Sequence, residues 1–210
     1  MITGYLIAGV TAAAVGLLLL AEKGNAVWRG WVKAAASSGF VAIALVMGAT
    51  DSAYGRWVLA ALCLGWVGDV ALVSSQRTWF LAGLGAFLIS HLAYVGAFAA
   101  AGPRWVAAAL AGAALILPAV VVVRWLWPSL PDEMQPPVLA YVAAISAMVA
   151  AAVGAALGQG PVIVVPAAVA FYLSDLSVAR DRFVAPSFTN RLWSLPLYYA
   201  AQVVFAFSVG

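Results

Sequence analysis

Of 210 residues, 66% are hydrophobic and only 8% are charged. A water-soluble domain carries roughly 25% charged residues, so composition excludes a water-facing globular domain and makes lipid the solvent. The net charge of +3 is too small to point to nucleic acid; in an apolar chain, Lys and Arg set membrane orientation instead.

A membrane helix needs about 20 apolar residues. On that template the chain divides into about eight spans: 2–21, 32–48, 57–73, 79–100, 105–125, 138–157, 161–179 and 192–209. They form one polytopic domain over residues 1–210. The first has no basic n-region and no Ala-x-Ala site, so it reads as a retained helix rather than a signal peptide. Polar breaks with Pro or Gly separate the spans. Trp28, Trp31, Trp57, Trp79, Trp105, Trp125, Trp127 and Trp193 stand at span ends, where an interfacial aromatic belt belongs. Cys63, the single cysteine, excludes a disulfide framework and a thiolate metal site and reads as a small packing residue.

Eight of the ten Lys and Arg residues fall on the side of the odd-numbered breaks; only Arg56 and Arg104 fall on the other. The positive-inside rule then puts both termini outside and the odd breaks in the cytoplasm. Asp69 and Asp175 are the two acids within spans, and both lie near the cytoplasmic ends of their helices, roughly 6 Å deep at 1.5 Å per residue. A carboxylate in lipid costs about 2.5 kcal/mol or more, which makes a functional role the default. His91, the only histidine, sits midway through the fourth span with Tyr94 one turn on. Tyr198 and Gln202 share a face of the last span, and Tyr141 and Met148 one of the sixth. Gly65, four before Asp69, thins that helix face for a close approach. A loose echo between Asp69, Arg77, Phe80 and Asp175, Arg180, Phe183 fits a four-plus-four parallel repeat.

An ordered set of residues carries a family resemblance. It runs Gly68-Asp69-Val-x-Leu72, Phe80-x-x-Gly83-Leu-x-Ala-Phe87-x-x-x-His91-x-x-Tyr94-x-x-x-Phe98, Tyr141, Met148, Tyr172-x-Ser174-Asp175-Leu, Arg182-Phe183 and Tyr198-Tyr199-x-x-Gln202, with Lys33 ahead of it. From Lys33 to Gln202 the chain resembles the YhhN-like family, which includes the lysoplasmalogenases. The resemblance implies an enzyme that hydrolyses the vinyl ether bond of a lysophospholipid, lysoplasmalogen, to a fatty aldehyde and a glycerophospho-base.

That chemistry suits the residues. Protonating the outer alkene carbon leaves an oxocarbenium ion, to which water adds. The step calls for a carboxylic acid held protonated and a second group to stabilise charge or activate water. Asp69 and Asp175 are expected as an acid/base pair, with His91 orienting water or taking a proton. Tyr94, Tyr141, Tyr198, Tyr199 and Gln202 would supply hydrogen bonds. Lys33, Arg77, Arg180 and Arg182 could meet the lipid phosphate at the cytoplasmic surface. No cofactor is expected, although Asp69, His91 and Asp175 also make a two-carboxylate, one-His metal set. The alternative function is a small proton-coupled transporter with the two aspartates as relay, for which broken helices around Pro118 or Pro166 would be the sign. A third is a non-catalytic sensor or chaperone. The expected setting is a bacterial inner membrane, with the site toward the cytoplasmic leaflet, membrane lipid around it, and a monomer or weak dimer.

Overall fold

Eight α-helices occupy the segments that the apolar runs mark out. In the computed structural model, which describes all 210 residues, they are α1 (Ile2–Lys23), α2 (Arg29–Val46), α3 (Ala53–Ala71), α4 (Arg77–Ala100), α5 (Trp105–Leu126), α6 (Gln135–Ala156), α7 (Val164–Ala179) and α8 (Phe188–Phe207). Their ends follow local chemistry. Ser52 caps α3 by accepting from the Gly55 amide at 2.9 Å, and Ser187 caps α8 by accepting from Thr189 at 3.2 Å. Gly48 (φ +85°) and Gly102 (φ +70°) turn the chain out of α2 and α4 in the left-handed conformation that suits glycine.

Four helical segments, Ile2–Lys23, Arg77–Ala100, Trp105–Ser129 and Asp132–Ala156, are long and apolar enough to cross a membrane. The eight Trp residues at span ends are all exposed. Cys63 is exposed as well, on the outer face of α3 and not packed inside the bundle. The chain is a helical membrane protein.

Seven helices close into a ring. α1 packs on α2, α2 on α3, α3 on α4, α4 on α6, α6 on α7, α7 on α8, and α8 returns to α1 while also touching α2 and α3. α5 stands outside against α6 and buries only Leu126. Prolines interrupt no helix: α5 runs through Pro118, α8 through Pro196, and Pro166 lies in the first turn of α7, as Pro136 and Pro137 do in that of α6, where an N–H has no intrahelical partner anyway. Pro196 is a further such proline beside the two that the sequence marks as candidates.

The odd-numbered breaks meet at one end of the bundle. Arg191, at the start of α8, bonds Glu22 of α1 at 2.7 Å and Asp181 of the α7–α8 turn at 3.2 Å. Arg77 bonds Glu133 at 3.0 Å, tying the third break to the fifth. At the other end Gln159 donates its amide to the Gly102 carbonyl. The aromatic core lies nearer the middle, where Phe171 touches Phe87, His91, Tyr94 and Tyr198 with ring centroids 4.7–6.4 Å apart.

Candidate active site

Two carboxylates border one cavity, each held by its own set of partners. Asp69 sits two residues from the end of α3, so it lies about 3 Å from that terminus, shallower than expected because α3 stops at Ala71. Its Oδ1 faces the Lys33 ammonium at 3.2 Å. Its Oδ2 accepts from the Ser37 hydroxyl at 2.6 Å and the Tyr198 hydroxyl at 2.7 Å. Lys33 and Ser37 are four apart on α2 and so share a face. A second layer holds these donors in place. The Tyr199 hydroxyl lies 3.0 Å from Ser37 Oγ, Gln202 donates to Tyr198 at 3.2 Å, and Tyr94 donates to the Gln202 carbonyl at 2.6 Å. Gly65 makes room for this layer, since a Cβ there would stand 2.9 Å from Gln202 Nε2 and 3.3 Å from the Tyr198 hydroxyl.

Asp175, one turn from the end of α7, has a different setting. Its Oδ2 accepts from the Tyr141 hydroxyl at 2.6 Å and lies 3.2 Å from His91 Nε2. Its Oδ1 has only a long 3.4 Å contact with Ser174 Oγ, a hydroxyl that already donates to the Phe171 carbonyl at 2.9 Å. His91 is fully buried between the Tyr141 and Phe171 rings, and its Nδ1 has no protein partner. No hydrogen bond joins Asp69 to Asp175; the Phe171 ring touches Tyr198 on one side and His91 on the other.

The cavity of ≈ 110 Å³ is lined by every helix except α1. Its walls are mostly apolar and reach Val122 and Leu126 of α5 and Val138 and Ile145 of α6. At the odd-break end it adjoins a more polar vestibule of ≈ 370 Å³, bordered by Glu22, Arg29, Asp181 and Arg191. Lys33, Phe80, Arg182 and Ser194 line both spaces. A π-turn, Arg180–Val184, continues α7 and aims Arg182 across the Phe80 ring, 4.3 Å from its centroid. Phe183 meets the same ring edge-on at 5.9 Å.

Of the expected site residues, Lys33, Asp69, Tyr141, Asp175, Arg182 and Tyr198 line the cavity. His91, Tyr94, Tyr199 and Gln202 stand behind its wall: His91 bonds Asp175, Gln202 bonds Tyr198 and is itself bonded by Tyr94, and Tyr199 meets Ser37 and the Lys33 backbone carbonyl. Arg180 bonds Asn190, and Arg77 bonds Glu133, so neither lines the cavity. No three His, Cys, Asp or Glu side chains converge, so the two-carboxylate, one-His metal set is not assembled. Ser37 and Ser194 belong to no motif legible in sequence, while Tyr172 and Ser174 stand in the motif around Asp175 without a role assigned to them there. Ser37 stands one turn from Lys33, Tyr172 nearly one turn before Asp175, and Ser194 one turn before Tyr198, which is the signal that could have found them.

Fold and site together define a polytopic helical membrane protein with a carboxylate-bearing cavity next to a polar mouth. The chain belongs to the YhhN family, whose model matches residues 28–209. It is 35% identical over 160 residues to a Mycobacterium bovis protein named lysoplasmalogenase, an alignment covering 71% of this chain and 58% of that one. It is 29% identical to Bos taurus lysoplasmalogenase TMEM86A, covering 72% and 64%, and 31% identical to Sus scrofa lysoplasmalogenase TMEM86B, covering 75% and 65%. The chain therefore spans about three-fifths of the length of the curated relatives it matches. No solved structure matches it.

Proposed function

We propose that this protein is an intramembrane ether hydrolase that cleaves the vinyl ether bond of a lysoplasmalogen to a fatty aldehyde and a glycerophospho-base. The names of its relatives supply the substrate class. The observation that carries the chemistry is the unequal holding of two carboxyls on one cavity. Asp69 receives a cation and two hydroxyl donors, the environment of a fixed anion. Asp175 has no full positive charge bound to it if His91 is neutral, and one of its oxygens is nearly free.

The His91 tautomer follows from its surroundings. A hydrogen on Nδ1 would be a buried N–H without a partner, which is costly, so the hydrogen belongs on Nε2 and is donated to Asp175 Oδ2. With Tyr141 donating to the same oxygen, the acid proton belongs on Oδ1. In the reaction Asp175 transfers that proton to the outer alkene carbon. The resulting oxocarbenium ion forms near the Asp69 carboxylate, which offsets part of its charge. Water adds to the ether-bearing carbon and returns a proton to Asp175. The hemiacetal then collapses, its hydroxyl proton passing to the departing glycerol oxygen. His91 and Tyr141 act by holding Asp175; His91 touches no substrate.

The apolar cavity suits the alkenyl chain, and Arg182 and Lys33, at its junction with the vestibule, suit the phosphate. In this reading all eight helices cross a bacterial inner membrane, with both termini outside and the vestibule toward the cytoplasmic leaflet, an orientation that the uneven Lys and Arg distribution supports. No helix is interrupted midway, the feature by which a carrier would show itself. The test is hydrolysis of lysoplasmenyl-ethanolamine and lysoplasmenyl-choline by the purified protein in deuterated water. The expected product is an aldehyde with one deuterium on the carbon next to the carbonyl at early times. Absence of aldehyde, or aldehyde without deuterium, would overturn the reading.

A further inference from the structure

Tyr172 borders the cavity and is 8% exposed, yet its hydroxyl is buried with no protein partner. The other cavity tyrosines are committed, Tyr141 to Asp175 and Tyr198 to Asp69. A buried hydroxyl without a partner costs free energy, and native structures rarely keep one without a use. Tyr172 precedes Asp175 by three residues on α7, so the two side chains share a face of the helix. Tyr172 and Asp175 both line the one cavity, and Oδ1 of Asp175 is nearly free.

We infer that the Tyr172 hydroxyl holds the water that adds to the oxocarbenium carbon, an inference that rests on the hydrolase reading. The chemistry favours water over the ether oxygen as its partner. A donor on the ether oxygen would oppose the positive charge that the first step creates. A hydroxyl lone pair accepting from water leaves the water oxygen turned to the electron-poor carbon. When that C–O bond forms, the water proton passes to Asp175 Oδ1, which restores the acid, and the tyrosine remains neutral throughout. Tyr172 in this account touches a reacting molecule but transfers no proton.

Tyr172→Phe separates this role from packing. Removing a hydroxyl that bonds nothing in the fold leaves the melting temperature in detergent unchanged or raises it. Removing the water's anchor lowers kcat for aldehyde release about tenfold to a hundredfold, with KM changed less than threefold, in the range of a lost positioned contact. Tyr141→Phe is the control, because it breaks an existing bond to Asp175 and should lower both kcat and the melting temperature. Unchanged kcat in Tyr172→Phe beside an active wild type would overturn this inference alone. So would a melting temperature clearly below that of the wild type, which would give the hydroxyl a structural partner. An inactive wild type would overturn the hydrolase reading and this inference with it.

Discussion

Asp69 and Asp175 stand at similar depth on neighbouring parts of one cavity, and their settings are opposite. The Asp69 side chain is 3% exposed and bound to a lysine and two hydroxyls, while that of Asp175 is 16% exposed with one oxygen almost unheld. The difference teaches that equal depth in a bundle does not make a dyad. Charge, donor number and access decide what a carboxyl can do. On the proposed mechanism Asp69 keeps its charge throughout and Asp175 is the carboxyl that exchanges a proton.

The comparison breaks most sharply at Asp175. Asp175→Asn keeps the size of the side chain and removes the transferable proton, so aldehyde release should fall by about 10²–10⁴, the range of a lost general acid, with the fold retained. Asp69→Asn should act on the fold first. It leaves the Lys33 ammonium, whose side chain is 14% exposed, without its counter-charge. Breaking a buried pair costs about 3–5 kcal/mol, and water in the vestibule should place this one at the low end. Thermal unfolding in detergent checks this, and Asp69→Asn combined with Lys33→Met should recover part of the loss.

Smaller effects sharpen the contrast. Tyr94→Phe leaves the buried Gln202 carbonyl without its donor, two bonds away from Asp69. It should cost roughly 1–3 kcal/mol of stability and change kcat less than Tyr141→Phe does. The smallest effect lies at the mouth. Burial alone would raise the Asp181 pKa, but the Ser187 amide, Asn190 and Arg191 outweigh it and hold the carboxyl below its ordinary value. A depressed carboxyl stabilises the fold above its unfolded pKa and loses that contribution as pH falls through the folded one. Asp181→Asn should therefore lower the melting temperature slightly near neutrality, by under about 1 kcal/mol for so accessible a pair. The difference from wild type should shrink below about pH 4, which a pH series of melting curves would show.

Much of the fold was legible in sequence because lipid makes the signal plain. Runs of apolar residues bounded by Trp, Gly and Pro located all eight helices, and Asp69 and Asp175 stood out as charges inside them. What sequence could not give was the position of each residue around its helix relative to the others. Depth placed both aspartates in one layer, whereas the packing of α7 between α6 and α8 sends Asp175 to His91 and Tyr141 and leaves Asp69 to α2 and α8. His91 was visible as the lone histidine but not as a group behind the wall. Ser37 carried no mark of its own, since a serine one turn from a lysine is ordinary in helices. The meeting of Phe80, Phe183 and Arg182 depends on the π-turn after α7, which no local spacing announces.

The most direct test of the division between the two carboxyls is to measure aldehyde release and melting temperature together for wild type, Asp175→Asn and Asp69→Asn in one detergent. The account predicts that Asp175→Asn melts near wild type and releases almost no aldehyde, while Asp69→Asn melts well below both. Wild-type rates from a folded Asp175→Asn protein would contradict it.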